Sequence, residues 1–117
     1  MRFDAIAASY AKGAIPVMSW EPWAGRAAGE DQPEYALARI IAGEFDDYLT
    51  TVATGIRDQR YPVVIRFAHE MNGHWYPWSE QRSGNRPGEF VQAWRHVHDV
   101  FDRVGATNVV WVWSPNI

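Results

Sequence analysis

Three short apolar runs, separated by stretches with helical spacing, constrain this chain more than any other feature. Ile15 to Trp20, Val63 to Phe67 and Val109 to Trp113 are rich in Val and Ile and have the length of strands. Between them, Phe45, Tyr48, Leu49, Val52 and Ile56 recur at i, i+3, i+4, i+7 and i+11. Phe90, Trp94, Val97, Phe101 and Val104 recur at i, i+4, i+7, i+11 and i+14. Each spacing predicts an amphipathic helix with one apolar face. Pro87 stands where the later helix can begin, and Gly105 where it should stop. Residues Phe3 to Ala11 predict a further helix that feeds the first strand, and Glu34 to Ile41 a short one. The order α-β-α-β-α-β predicts a parallel sheet with helices outside it.

A doubly wound sheet and a barrel both satisfy that order, and the segments after the strands choose between them. All three strands run into polar and aromatic residues: Ser19-Trp20-Glu21-Pro22-Trp23, His69-Glu70-Met71-Asn72-Gly73 and Ser114-Pro115-Asn116. Chemistry gathered after the carboxyl ends of several strands is the habit of the (β/α)8 barrel. No glycine-rich phosphate loop follows the first strand, which weakens a nucleotide-binding reading. Eight strands and their helices take about 250 residues. The expectation is therefore a partial barrel of about three strands, one unit over residues 1–117, incomplete at both ends.

Composition narrows the partners. The net charge is −3, with 11 Lys and Arg scattered along the chain, so no basic footprint for nucleic acid is present. There is no cysteine, which excludes disulfide and thiolate-zinc scaffolds. No apolar run is long enough for a membrane span, and no signal peptide follows Met1. Aromatic residues reach 15%, seven of them Trp. Trp20 and Trp23, Trp75 and Trp78, and Trp113 cluster near strand ends. Core packing is the ordinary fate of a tryptophan; clustering at strand ends also suits a sugar cleft, where flat rings stack on pyranose faces.

The segment Arg66-Phe67-Ala68-His69-Glu70-Met71-Asn72-Gly73-His74-Trp75-Tyr76-Pro77-Trp78 closely resembles the signature around the acid/base glutamate of glycoside hydrolase family 26. The likeness extends through Ile15 to Trp23, through Ala93-Trp94-Arg95 and through Gly105 to Asn116, so it covers nearly the whole chain. The resemblance implies a retaining glycosidase on a (β/α)8 barrel, with the acid/base at the end of strand four and the nucleophile at the end of strand seven. The three runs then become strands three, four and five. Glu70 matches the proton donor, and the nucleophile falls beyond Ile117. The family is mostly β-mannanases, so the implied parent is an endo-β-1,4-mannanase acting on β-linked polysaccharide, secreted, with its leader outside this chain. The chain alone is expected to be inactive, since it lacks the nucleophile. The alternatives are a β-1,3-1,4-glucanase or xylanase of the same family, or a non-catalytic carbohydrate-binding remnant.

The residues themselves argue in the same direction. Glycoside cleavage needs one carboxyl kept protonated to assist the leaving oxygen. Phe67, Met71 and Trp75 surround Glu70 in sequence with the apolar groups that disfavour a charge. Alternation along the strand predicts Val64, Arg66 and Ala68 on one face, so that Arg66 supports the site from below or forms an ion pair with Glu21. His69, Trp75, Trp20 and Glu21 are the expected sugar contacts, against the plainer readings of structural histidine and core tryptophan. Asn72 is expected to brace the loop through backbone hydrogen bonds. His69-Glu70 followed by His74 is similar to the zinc protease helix motif, but that motif needs the second His at i+4 on one helix. Here it stands at i+5 with Gly73 and Pro77 in the way. No metal and no cofactor is expected.

Overall fold

The structure, a computed structural model, describes residues 2–117. In chain order it runs α1 (Phe3–Ala11), β1 (Val17–Trp20), 3₁₀ turns at Arg26–Ala28 and Pro33–Tyr35, α2 (Leu37–Ile41), α3 (Asp46–Gln59), β2 (Val63–Phe67), α4 (Glu89–Val104) and β3 (Val109–Val112). The three strands form a parallel sheet in the order β1-β2-β3. This is the mixed α/β alternation that the apolar periods predict.

Helix α3 buries Leu49, Val52, Ala53 and Ile56, one face at i, i+3, i+4 and i+7. Asp46 and Asp47 occupy its first turn, where the helix dipole favours negative charge. Helix α4 buries Phe90, Ala93, Val97, Val100 and Phe101. It stops at Gly105, whose φ of 83° is a left-handed cap that costs glycine little. Asp46 Oδ1 lies 2.7 Å from His96 Nε2, tying α4 to the start of α3.

Several boundaries differ from the sequence expectation, β3 among them, which ends at Val112 and not Trp113. The first strand starts at Val17, not Ile15, because Pro16 has no N–H for the ladder. Pro16 still contributes through its carbonyl, which accepts from the Val64 N–H at 2.9 Å. The expected helix over Glu34 to Ile41 is split: Ala36 has ψ 144°, an extended conformation between the 3₁₀ turn and α2. The later helix begins at Glu89, and Pro87 precedes its Gly88 cap.

The register decides which side chains face which way. Met18, Ile65 and Trp111 lie side by side, as do Trp20 and Phe67, and this face is covered by helices. Val17, Val64 and Val110 lie side by side on the other face, followed by Ser19, Arg66 and Val112. Among the described residues no helix covers that face: Val17 is 68% exposed and Val110 53%, whereas Ile65 is fully buried.

Candidate active site

The carboxyl end of β2 is where the backbone does something unusual. Beyond Phe67, two non-glycine residues take left-handed φ: Ala68 at 49° and Glu70 at 55°. Such residues cost about 1–3 kcal/mol each and persist only where their surroundings over-determine them. Here the neighbouring strands hold both. The Ala68 N–H donates to the Trp20 carbonyl at 2.9 Å, and the Glu70 N–H donates to the Ser114 carbonyl at 2.7 Å. Glu70 is thus suspended between the ends of β1 and β3, and its half-buried carboxylate emerges at the strand ends.

The loop from Glu70 to Gly88 folds back on that point. The Trp75 indole N–H donates to Glu70 Oε2 at 3.1 Å. Gly73 makes this close approach feasible, since a Cβ there would come within 2.4 Å of the Trp75 ring. Trp78 is fully buried and its indole N–H donates to the His69 carbonyl at 2.8 Å. The Ser79 hydroxyl donates to the Gly73 carbonyl at 2.6 Å. Asn72 meets Asn116 with both ends of its amide: Nδ2 donates to the Asn116 carbonyl at 2.9 Å, and Oδ1 accepts the Asn116 N–H at 2.7 Å.

A second set of bonds joins this loop to the one after β1. The buried Gln32 side chain accepts from the Ala24 N–H and donates to the Gly25 and Gly29 carbonyls, shaping the β1 loop. The Gln32 N–H donates to Ser83 Oγ at 2.9 Å, and the Ser83 N–H donates to Asp31 Oδ1 at 2.9 Å. Arg82 donates to the His74 carbonyl at 2.6 Å and pairs with Glu30 at 2.7 Å. Between the two loops lies a cavity of about 360 Å³ lined by Trp23, Arg26, Gly29, Glu30, Trp75 and Tyr76.

The structure brings together only part of the expected site. Glu70 and Trp75 are in direct contact. His69 is 6% exposed; its Nε2 lies 3.2 Å from the Tyr76 hydroxyl and 3.9 Å from Glu21 Oε1. It is thus buried against Tyr76 and Trp78, with Glu21 beside it. Trp20 goes elsewhere. Its ring lies against Tyr48, Phe67 and Phe101 on the helix-covered face, because the register sets it beside Phe67. With Glu21 and Trp23 it lines a separate cavity of about 350 Å³ over α3. Arg66 is on the open face as alternation predicts, but its partner is Ser19 Oγ at 2.7 and 3.0 Å and not Glu21. The register explains this: Ser19 is the residue directly beside Arg66.

Tyr76 and Trp23 are the residues that sequence reasoning underrated. Tyr76 stacks on Trp78 at 4.2 Å between ring centroids and meets Trp23 edge-on at 5.5 Å. Burial pushes the Tyr76 phenol above its ordinary pKa; the Glu70 and Glu21 carboxylates push the same way, while Arg26 and Arg66 pull it back. Its only signal in sequence is its place between Trp75 and Pro77. Among the described residues, the group able to bring three ligand atoms within 4.8 Å for a cation is His98, Asp99 and Asp102. It lies on α4 and is mostly exposed.

Comparison with known proteins gives the family and the fold. The sequence model of glycosyl hydrolase family 26 matches residues 6–117. Endoglucanase H of Acetivibrio thermocellus is 36% identical over 111 residues, covering 93% of this chain and 11% of that protein. A mannan endo-1,4-beta-mannosidase of Bacillus subtilis is 32% identical over 76 residues, covering 58% of this chain and 21% of the relative. Among solved structures, a family 26 β-mannanase from Bacteroides ovatus superposes with a TM-score of 0.67 at 22% identity, over 97% of this chain and 36% of its own. The chain thus spans well under two thirds of the length of each, and the structural likeness carries the fold.

Proposed function

This chain belongs to glycosyl hydrolase family 26, and on that premise we propose that it supplies strands three to five of a (β/α)8 catalytic barrel, with Glu70 as the acid/base of a retaining endo-β-1,4-mannanase. The observation that carries the reading is the setting of Glu70 at the carboxyl end of the central strand, in a left-handed backbone conformation, with its carboxylate fixed by the Trp75 indole. Strain of this kind, held by bonds to both flanking strands, fits a carboxylate whose position matters. Two further observations support the barrel: the three strands are parallel, and the face bearing Arg66 lacks a helix layer, as an inward face would.

The chemistry follows from the carboxylate. Trp75 occupies Glu70 Oε2, which leaves Oε1 to carry the proton. As a nucleophilic carboxylate attacks the anomeric carbon, Glu70 gives its proton to the departing glycosidic oxygen and the carbon–oxygen bond breaks. Glu70, now a carboxylate, takes a proton from water as that water displaces the enzyme from the sugar. The nucleophile must lie roughly 5–5.5 Å from Glu70, and we assign it to a later strand outside this chain. Trp75 offers its ring to the sugar beside the cleavage point. Glu21 stands across from Tyr76 as a polar wall. Arg66 and Asn72 act from behind, the one through Ser19 and the other through Asn116.

Relatives named as mannan endo-1,4-beta-mannosidases favour mannan. A second reading, a β-glucan, is favoured by the 36% identity to Endoglucanase H across 93% of the chain. The test is to assay the full-length protein and the isolated chain on mannan, lichenan and xylan. Turnover of mannan by the full-length protein, with none by the isolated chain, is the expected result. Preference for lichenan moves the substrate to β-glucan. Robust turnover by the monomeric chain removes the partial-barrel reading, and no turnover of any of the three by the full-length protein leaves a binding remnant.

A further inference from the structure

The proposed function leaves Tyr76 without a role, yet its hydroxyl occupies a singular place. It lies 3.2 Å from His69 Nε2, and that histidine is buried with no partner for Nδ1 among the described residues. His69 has one proton to place in its neutral form. On Nδ1 it would be a buried donor with no acceptor among the described residues. On Nε2 it meets two acceptors, the Tyr76 oxygen at 3.2 Å and the Glu21 carboxylate at 3.9 Å. Both the missing partner and the nearby negative charge select the Nε2–H tautomer.

That choice fixes the direction of the phenol. If His69 donates to the Tyr76 oxygen, the Tyr76 O–H must point away from His69. Among the described residues His69 is its hydrogen-bond partner, so the O–H is an unused donor. Tyr76 lines the cavity of about 360 Å³ between Trp23 and Trp75. We infer that Tyr76 is a further substrate-binding residue of this site, its O–H donating to a sugar hydroxyl held between Trp23 and Trp75, with His69 as the positioning residue that aims it. This inference rests on the glycosidase reading above.

Three features support the assignment. The Tyr76 ring is clamped against Trp78 at an interplanar angle of 13°, so the hydroxyl is held in place before substrate arrives. Burial and the two carboxylates raise the phenol's pKa, which keeps it protonated and able to donate. The same geometry gives buried His69 a task that does not require it to touch sugar.

The experiment compares wild type, Tyr76→Phe and His69→Gln in the full-length protein, on mannan and lichenan oligosaccharides. Tyr76→Phe keeps the ring and its stack and removes only the donor. The expected result is a loss of about tenfold in kcat/KM, seen mainly in KM, with an unchanged unfolding midpoint. His69→Gln should lose a similar factor, and the double mutant should lose little more than either single change. Nitrogen NMR of the wild type should show His69 protonated at Nε2. Wild-type turnover with an equally active Tyr76→Phe enzyme overturns this inference alone, as does a proton on Nδ1. A wild-type protein inert on every β-linked substrate overturns the glycosidase reading and this inference with it.

Discussion

The loop after β2 has two sides with opposite characters, and Trp78 and Trp75 represent them. The inner side is Gly73, Pro77, Trp78, Ser79 and Ser83, all buried, and each polar atom named here has a partner. The outer side is Glu70, Asn72, His74, Trp75 and Tyr76, partly or fully exposed. Only Tyr76 and Pro77 separate the buried Trp78 from the half-buried Trp75. The difference teaches how this chain places a carboxylate. Buried hydrogen bonds are concentrated behind the loop, at Trp78, Ser79 and Ser83. The side facing the cleft is left with side chains whose removal changes binding more than folding.

On the proposed function, that division has consequences of graded size in the full-length protein. Glu70→Ala should have the largest, a fall of about 10²–10⁴-fold in kcat/KM on polysaccharide with little change in stability. An aryl glycoside with a good leaving group should keep most of its first-step rate, and azide should restore turnover. Equal losses on natural and activated substrates, with no azide effect, would remove Glu70 from the role of acid/base. Trp78→Ala should act on the other side of the division. It opens a cavity and leaves the His69 carbonyl without its donor, and should cost about 3–5 kcal/mol in denaturant unfolding. A loss under 1 kcal/mol would break the distinction between the two sides. Trp75→Ala should have the smallest effect: about tenfold in kcat/KM, or about 1.4 kcal/mol of transition-state binding, at near-native stability. Trp75→Phe sharpens the result, because it keeps a ring for stacking and loses only the N–H to Glu70. A large stability loss in Trp75→Ala with normal catalysis would move that ring into the core.

How legible this was in sequence depended on the range of the contact. The strands and the two long helices follow from local apolar periods, and β2 lies where Val63 to Phe67 puts it. The ends were less legible, because one proline and one extended alanine, Pro16 and Ala36, override the period. The direction of Trp20 was hidden for a different reason. It depends on the register between β1 and β2, and no pattern within β1 states it. The same holds for the bonds that join the two loops. Gln32 and Ser83 are 51 residues apart, and each looks like an ordinary loop residue until they meet. The nearness of Glu70 and Trp75 was legible because both stand in one short contiguous segment. Tyr76 stands in that segment too, but its partner His69 becomes informative only once both rings are placed.

The bond from the Glu70 N–H to the Ser114 carbonyl also sets an order in time. Glu70 leaves the ribosome 44 residues before Ser114, and the Asn72 to Asn116 clasp spans the same interval. Helix α4 and strand β3 occupy that interval, so the carboxylate cannot take its final posture until both have been made and docked. The strained backbone at Glu70 lacks its Ser114 bond until then, and a nascent chain pays the loop-closure entropy before it gains that bond. The Glu70 carboxylate is therefore synthesised well before the segment that sets its backbone.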